Sequence, residues 1–208
     1  MSEYDFEPIR GLPGNLPQGE HILWQGAPDA WAFARSALYT RWTAGYFAVL
    51  TGLALVRGTL AGVLLTAAAG AAVFALSLAF AFLVARTTVY TVTNRRVVLR
   101  IGVALSKCIN LPLAQLGSAD LRDHGGGFGD IALVPVTRSG IGYAMLWPHA
   151  RPMRLSAPQP MLRAIPDAAE VAAVLARACA AIVPLQTRSV ASAETVPQPL
   201  RGPLEAAA

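Results

Sequence analysis

Charge is scarce in this sequence. Asp, Glu, Lys and Arg make up 14% of its 208 residues, against about a quarter in a typical soluble domain. With 54% of its residues hydrophobic, the chain does not read as an ordinary soluble protein. Cysteine is nearly absent. Cys108 and Cys179 stand far apart, which argues against a disulfide framework or a thiolate metal site and leaves two small buried residues. The first residues, Met1 to Gly11, carry acids where a secretory signal has a basic and then an apolar segment, so no cleaved leader is expected.

The apolar residues are concentrated. Between Trp42 and Ala85, Arg57 is the only charge in 44 residues. One continuous helix of that length would cover more than twice the roughly 30 Å hydrocarbon core of a bilayer. Two helices of about 20 residues each fit it, so a transmembrane hairpin is expected over residues 36–86, with helices near 38–56 and 60–85. The turn falls at Val56-Arg57-Gly58-Thr59, where Arg57 reaches water and Gly58 permits the reversal. Arg35 and Arg41 precede the hairpin and Arg86, Arg95, Arg96 and Arg100 follow it. That bias predicts a multi-pass protein of the inner or intracytoplasmic membrane with both termini in the cytoplasm. Trp42, Tyr46, Phe47, Phe80 and Phe82 are the expected interfacial aromatics. The small residues Gly45, Gly52, Gly62 and Gly70 suit close helix packing, either with a partner's helices or, more simply, within the hairpin itself.

Residues 1–35 read as an irregular arm with one short strand around Ile22-Leu23-Trp24. After the hairpin the texture turns to strands: 87–93, then 96–103 after a turn at Asn94-Arg95, with Val97, Leu99, Ile101 and Val103 on one face. Further strands are expected near 107–113, 116–122, 130–136, 141–147 and 152–155, and a helix over 166–183 with Val171, Val174, Leu175, Ala178 and Ile182 on its apolar face. Residues 184–208, rich in Pro, Ala, Ser and Thr, read as a disordered tail. The fold class is therefore α+β: the hairpin plus, over 87–183, a cytoplasmic antiparallel β-barrel or sandwich capped by a C-terminal helix.

From Arg86 to Arg163 there are ten Arg or Lys residues against three Asp. A domain with that excess beside the cytoplasmic leaflet would be drawn to anionic lipids. An arginine-rich coding bias on a solvated face explains the same count. Nucleic acid is not expected as a partner, and a homodimer is left open.

The stretches Glu20 to Pro28 and Tyr90 to Arg96 resemble the Glu-x-x-Leu-Trp-x-Gly-x-Pro and Tyr-x-Val-Thr-Asn-x-Arg segments that flank the membrane hairpin of bacterial pleckstrin-homology-like domains. The ordered set Ile22–Pro28, Asn110–Leu113, Gly127–Ile131, Leu146–Pro152 and Met161–Asp167 is more specifically similar to the PuhB group, the photosynthetic complex assembly proteins of purple bacteria. The resemblance spans about residues 15 to 183. It implies a pleckstrin-homology-like domain and a role in building the reaction centre and the core light-harvesting ring (LH1), by contact with their subunits. It brings no catalytic residues and no cofactor.

The residues themselves agree with a non-enzymatic reading. His21, His124 and His149 lie outside the apolar run, so none is placed to ligate a pigment's magnesium within the membrane, and their spacing is not that of a metal site. His124 and His149 read as surface loop residues. Gly125-Gly126-Gly127-Phe128-Gly129-Asp130 lacks the Lys-Ser or Lys-Thr and the helix of a phosphate loop, and reads as a turn between strands. Asp120, Asp123 and Asp130 have no neighbouring nucleophile or base. The better candidates are binding residues: Trp147, His149, Arg151, Arg154 and Arg163 for a protein partner, with Trp24 more simply structural. A general lipid-binding or scaffold protein of the same domain group is the competing reading.

Overall fold

The computed structural model describes residues 9–137 and 140–194. Strand β1 (Ile22–Gly26) is followed by a short helix α1 (Ala30–Ser36), then α2 (Thr40–Val56) and α3 (Leu60–Thr87). Strands β2 (Val89–Thr93), β3 (Arg96–Ile101) and β4 (Lys107–Pro112) follow, then β5 (Leu116–Gly125) and β6 (Phe128–Pro135). The chain closes with a single helical turn α4 (Tyr143–Leu146), strand β7 (Met161–Pro166) and helix α5 (Ala168–Glu194).

The strands form two antiparallel sheets, one ordered β1-β2-β3-β4 and the other β5-β6-β7. Their inner faces share one apolar core with α5, built on Val97, Leu99 and Ile101 of β3, Ile131 and Leu133 of β6, Leu162 of β7, and Val171 and Leu175 of α5. Among the described residues the sheets do not close into a barrel, so the sandwich form of the expectation is the one observed.

The outer face of the four-stranded sheet is also covered. Val98 is buried although it points away from Val97 and Leu99. The arm at residues 10–12 lies there: Leu12 is buried, Gly11 comes so close to Val89 that a Cβ would clash, and Gln25 Nε2 donates to the Arg10 carbonyl at 2.8 Å. The arm is thus part of the fold and not merely a leader to it. β1 is fixed to the β2–β3 hairpin by a buried carboxylate. Glu20 accepts from Arg96 Nε and Nη2 at 2.8 and 3.0 Å and from the Thr93 hydroxyl at 2.8 Å.

Helices α2 and α3 lie antiparallel. Thr51 and Thr66 hydroxyls meet at 3.0 Å, and a Cβ on Gly70 or Gly62 would press on Phe47 or Ala54. Gly62 and Gly70 therefore lie in the contact between these two helices, whereas Gly45 and Gly52 face open space. Arg57 stands exposed in the turn between them, and Gly58 takes φ +67°. α3 is long and apolar enough to cross a membrane, at 28 residues or about 42 Å. Most of its surface, with Leu60, Leu64, Leu65 and Leu76, faces outward, as does that of α2 with Val49, Leu53 and Val56. Among the described residues α3 is the one helix that is long and apolar enough to cross a membrane; the 17-residue α2 is shorter.

Three expectations are corrected. The strand expected at 141–147 is the turn α4, because Tyr143 and Leu146 wrap inward ahead of Pro148, and 152–155 forms no strand; the third strand of the second sheet is β7 instead. The helix expected to end at 183 runs on through Pro184 to Glu194, past a proline that removes one ladder N–H and crowds the carbonyl four residues back. The remaining part of the expected tail, 195–208, lies outside the described residues.

Candidate interaction surface and its buried support

Helix α1 joins the apolar helices to the sheets. Asp29 caps it, its carboxylate accepting from Ala32 N–H at 2.8 Å. Phe33 and Ala34 are fully buried against Ala81 and Val84 of α3 and Ala164 of β7, and the Asp29 N–H donates to the Ala164 carbonyl at 2.8 Å. α3 then passes into β2 through Thr88 alone.

Aromatic side chains surround this junction. Trp147 is half exposed and stacks on Phe80 of α3, ring centroids 5.6 Å apart. The Arg86 guanidinium lies 4.6 Å over the Phe82 ring. Trp31, Tyr39, Trp42 and Tyr46 are all exposed on α1 and the start of α2. Of the five aromatics expected at an interface, Trp42, Tyr46 and Phe82 are therefore open to the surroundings, Phe80 is paired with Trp147, and Phe47 is turned inward between α2 and α3.

Beneath the Trp147 loop runs a buried polar chain that the sequence did not reveal. His149, expected at the surface, is almost fully buried. Its Nδ1 lies 2.6 Å from the Tyr90 hydroxyl and its Nε2 is 3.4 Å from Thr88 Oγ1. The Tyr90 oxygen accepts the Arg163 backbone N–H at 3.2 Å. We assign the Tyr90 proton to the bond with Nδ1, which makes His149 a neutral imidazole bearing its proton on Nε2. Burial, and then the Arg163 charge, pushes the His149 pKa down to about 3. Burial likewise raises that of Tyr90, so the phenol keeps its proton.

Arg163, expected as a partner contact, is buried as well. Its guanidinium donates to the Pro148 carbonyl at 3.2 Å and lies 3.9 Å from Asp130. Asp130 accepts from Ala164 N–H at 2.8 Å and from His124 Nε2 at 2.8 Å. His124, expected in a loop, is in β5 and contributes to this pairing. His149 and Arg163 therefore do not present themselves to a partner. They support the Trp147 loop from within.

Arg151 is half-buried and tied to Asp120 at 2.6 Å and Gln159 at 3.1 Å. Arg154 is exposed, with Met153 and Leu155 beside it in sequence. The surface that remains for contact is thus Trp147 with the 153–155 segment. The three Asp residues are separated in role: Asp120 pairs with Arg151, Asp123 accepts the Gly125 N–H at 2.7 Å, and Asp130 is in the buried chain. Gly125, Gly126 and Gly127 form the tight β5–β6 turn, all at positive φ. Cys108 and Cys179 are partly buried thiols, not joined in a disulfide, and burial raises the Cys179 pKa. Among the described residues no group of His, Cys, Asp and Glu could hold a metal ion.

The chain belongs to the bacterial PH domain family, whose profile matches residues 43–178, from the first turn of α2 into α5. A protein of Rhodobacter capsulatus, described as an uncharacterized 23.7 kDa protein in the puhA 5′ region, is 42% identical over 192 residues, covering 86% of this chain and 88% of its own. No solved structure matches the chain.

Proposed function

We propose that this protein is a membrane-bound assembly factor for the photosynthetic reaction centre and its LH1 ring, acting through protein contacts and without catalysis. The observation that carries the reading is the 42% identity, over most of both chains, to a protein whose gene lies beside the photosynthesis gene puhA. The resemblance to PuhB-type assembly proteins agrees with it. In this reading α2 and α3 both cross the membrane as a hairpin, their outward apolar faces packing beside newly inserted helices. The PH domain stands on the cytoplasmic side, where Trp147 and the 153–155 segment meet the partner's membrane-proximal ends.

Deleting the gene is expected to lower reaction-centre and LH1 absorbance several-fold while free pigment synthesis continues. A mild-detergent pull-down of the tagged chain should recover their subunits in incomplete complexes. Normal complex levels in the deletion would remove the proposal. The topology has its own check. Gly58→Cys should make the chain react with a membrane-impermeant maleimide from the periplasmic side of intact cells, where the unsubstituted chain does not. Labelling of the new thiol only in inverted vesicles would reverse the orientation.

A further inference from the structure

Where α1 turns into α2, a cleft of about 650 Å³ opens between these helices and the β5–β6 hairpin. Arg35, Arg41, Arg122 and Arg163 line it against one carboxylate, Asp130. That carboxylate is already engaged by His124 and the Ala164 N–H. Among the described residues no acid pairs with Arg35, Arg41 or Arg122. Three arginines without paired acids line this one cleft, and planar guanidinium forks match phosphate oxygens. A second observation points the same way. The Ser36 hydroxyl, on the cleft wall, is buried and has no hydrogen-bond partner, a condition that folded proteins rarely leave uncompensated. A third is the wall supplied by Tyr39, Arg41 and Trp42, the first residues of α2, whose amino end has no side-chain cap and favours an anion.

The position of the cleft selects the kind of anion. It sits where the apolar stretch begins, flanked by the exposed rings of Tyr39 and Trp42, the side chains found at headgroup depth. One turn further along α2, Gly45 also lines it, and a Cβ there would meet open space. We propose that this cleft holds the phosphate of one anionic phospholipid from the leaflet facing the domain, gripped by Arg35, Arg41 and Arg122 with Ser36 Oγ donating, while the glycerol passes Gly45 into the bilayer. The assignment rests on the membrane reading of α2 and α3 given above.

The full chain, reconstituted in nanodiscs of one part phosphatidylglycerol to nine of phosphatidylcholine and released into native mass spectrometry, tests it. The expected result is one retained phosphatidylglycerol, favoured at least tenfold over phosphatidylcholine. Arg35→Gln with Arg122→Gln should cut that preference at least fivefold. Gly45→Phe should do so too by filling the cleft without adding or removing charge. Arg177→Gln, an exposed arginine of α5 outside the cleft, should leave it unchanged. No preference in the native protein, or an equal loss with Arg177→Gln, overturns the site. Retention of added inorganic phosphate without phosphatidylglycerol overturns the lipid assignment in favour of free phosphate. A chain that never enters the nanodisc overturns the membrane reading, and the assignment with it.

Discussion

Asp130→Ala is expected to destabilise the folded chain by about 3 kcal/mol or more, the cost of leaving a buried N–H donor unsatisfied and a nearby buried charge without its partner. Asp130 is 2% exposed, and both of its oxygens are occupied. Without it the Ala164 N–H is left unpaired inside the protein, at a residue already held at φ +50°. This lies in the segment where the β6–β7 pairing shifts register, so the carboxylate shapes the irregularity that carries β7 past β6. The Arg163 guanidinium would also lose its nearest negative charge. Because that contact is 3.9 Å, longer than a hydrogen bond, the backbone and His124 bonds should dominate. Asp130→Asn, which retains an acceptor for Ala164 but not the charge, should cost distinctly less than Asp130→Ala. Thermal unfolding of the full chain in detergent measures both, and equal melting temperatures for Asp130→Ala and the native protein would contradict the role given to this residue.

The second large effect is on acid stability. His149 is neutral in the folded protein, with its pKa pushed down to about 3, whereas in an unfolded chain it titrates near 6.5. Between these values the unfolded state takes up a proton that the folded state refuses. Stability is therefore whole above about pH 6.5 and falls as pH drops toward 3, by up to about 1.4 kcal/mol per pH unit from this group. His149→Gln is expected to lose stability at pH 7, since Tyr90 and Thr88 lose their fitted partner, and yet to show a shallower decline from pH 7 to pH 5. The native and substituted proteins share their other titrating groups, so the difference in slope isolates His149. Parallel melting-temperature curves over that range would show that another group sets the acid limb.

The parts of this fold that were legible in the sequence are those fixed by local pattern. A 44-residue window with one charge and a Gly beside that charge mark α2, the turn and α3 to within a few residues. Alternating β-branched residues mark β2 and β3, and three consecutive glycines mark the β5–β6 turn. What stayed hidden depends on partners distant along the chain. His149 stands between Pro148 and Arg151, a setting that reads as surface, and only Tyr90, 59 residues earlier, takes its ring inside. β7 was obscured because Arg163 interrupts its apolar run, and the carboxylate that makes that arginine tolerable comes from β6. In the sequence Arg35 and Arg41 read as charges flanking a hairpin. Their placement on one cleft with Arg122 requires the whole domain to fold back on α1. Asp29 before Ala30 is an N-cap residue, a local signal that α1 begins there.

The junction through Thr88 leaves almost no slack between the apolar helices and the sheets. A domain joined to its anchor by a flexible linker would sample many heights and headings above the bilayer. Here the last turn of α3 feeds an interior strand directly, while the buried Phe33 and Ala34 wedge the opposite side. On the proposed membrane reading, the domain is carried like the head of a rigid bracket: a tilt of α3 would swing the Trp147 loop through an arc set by the domain's own width. Lengthening the connection at Thr88 by a few glycines should leave both parts folded and, on that reading, free the loop from any fixed standoff from the membrane plane.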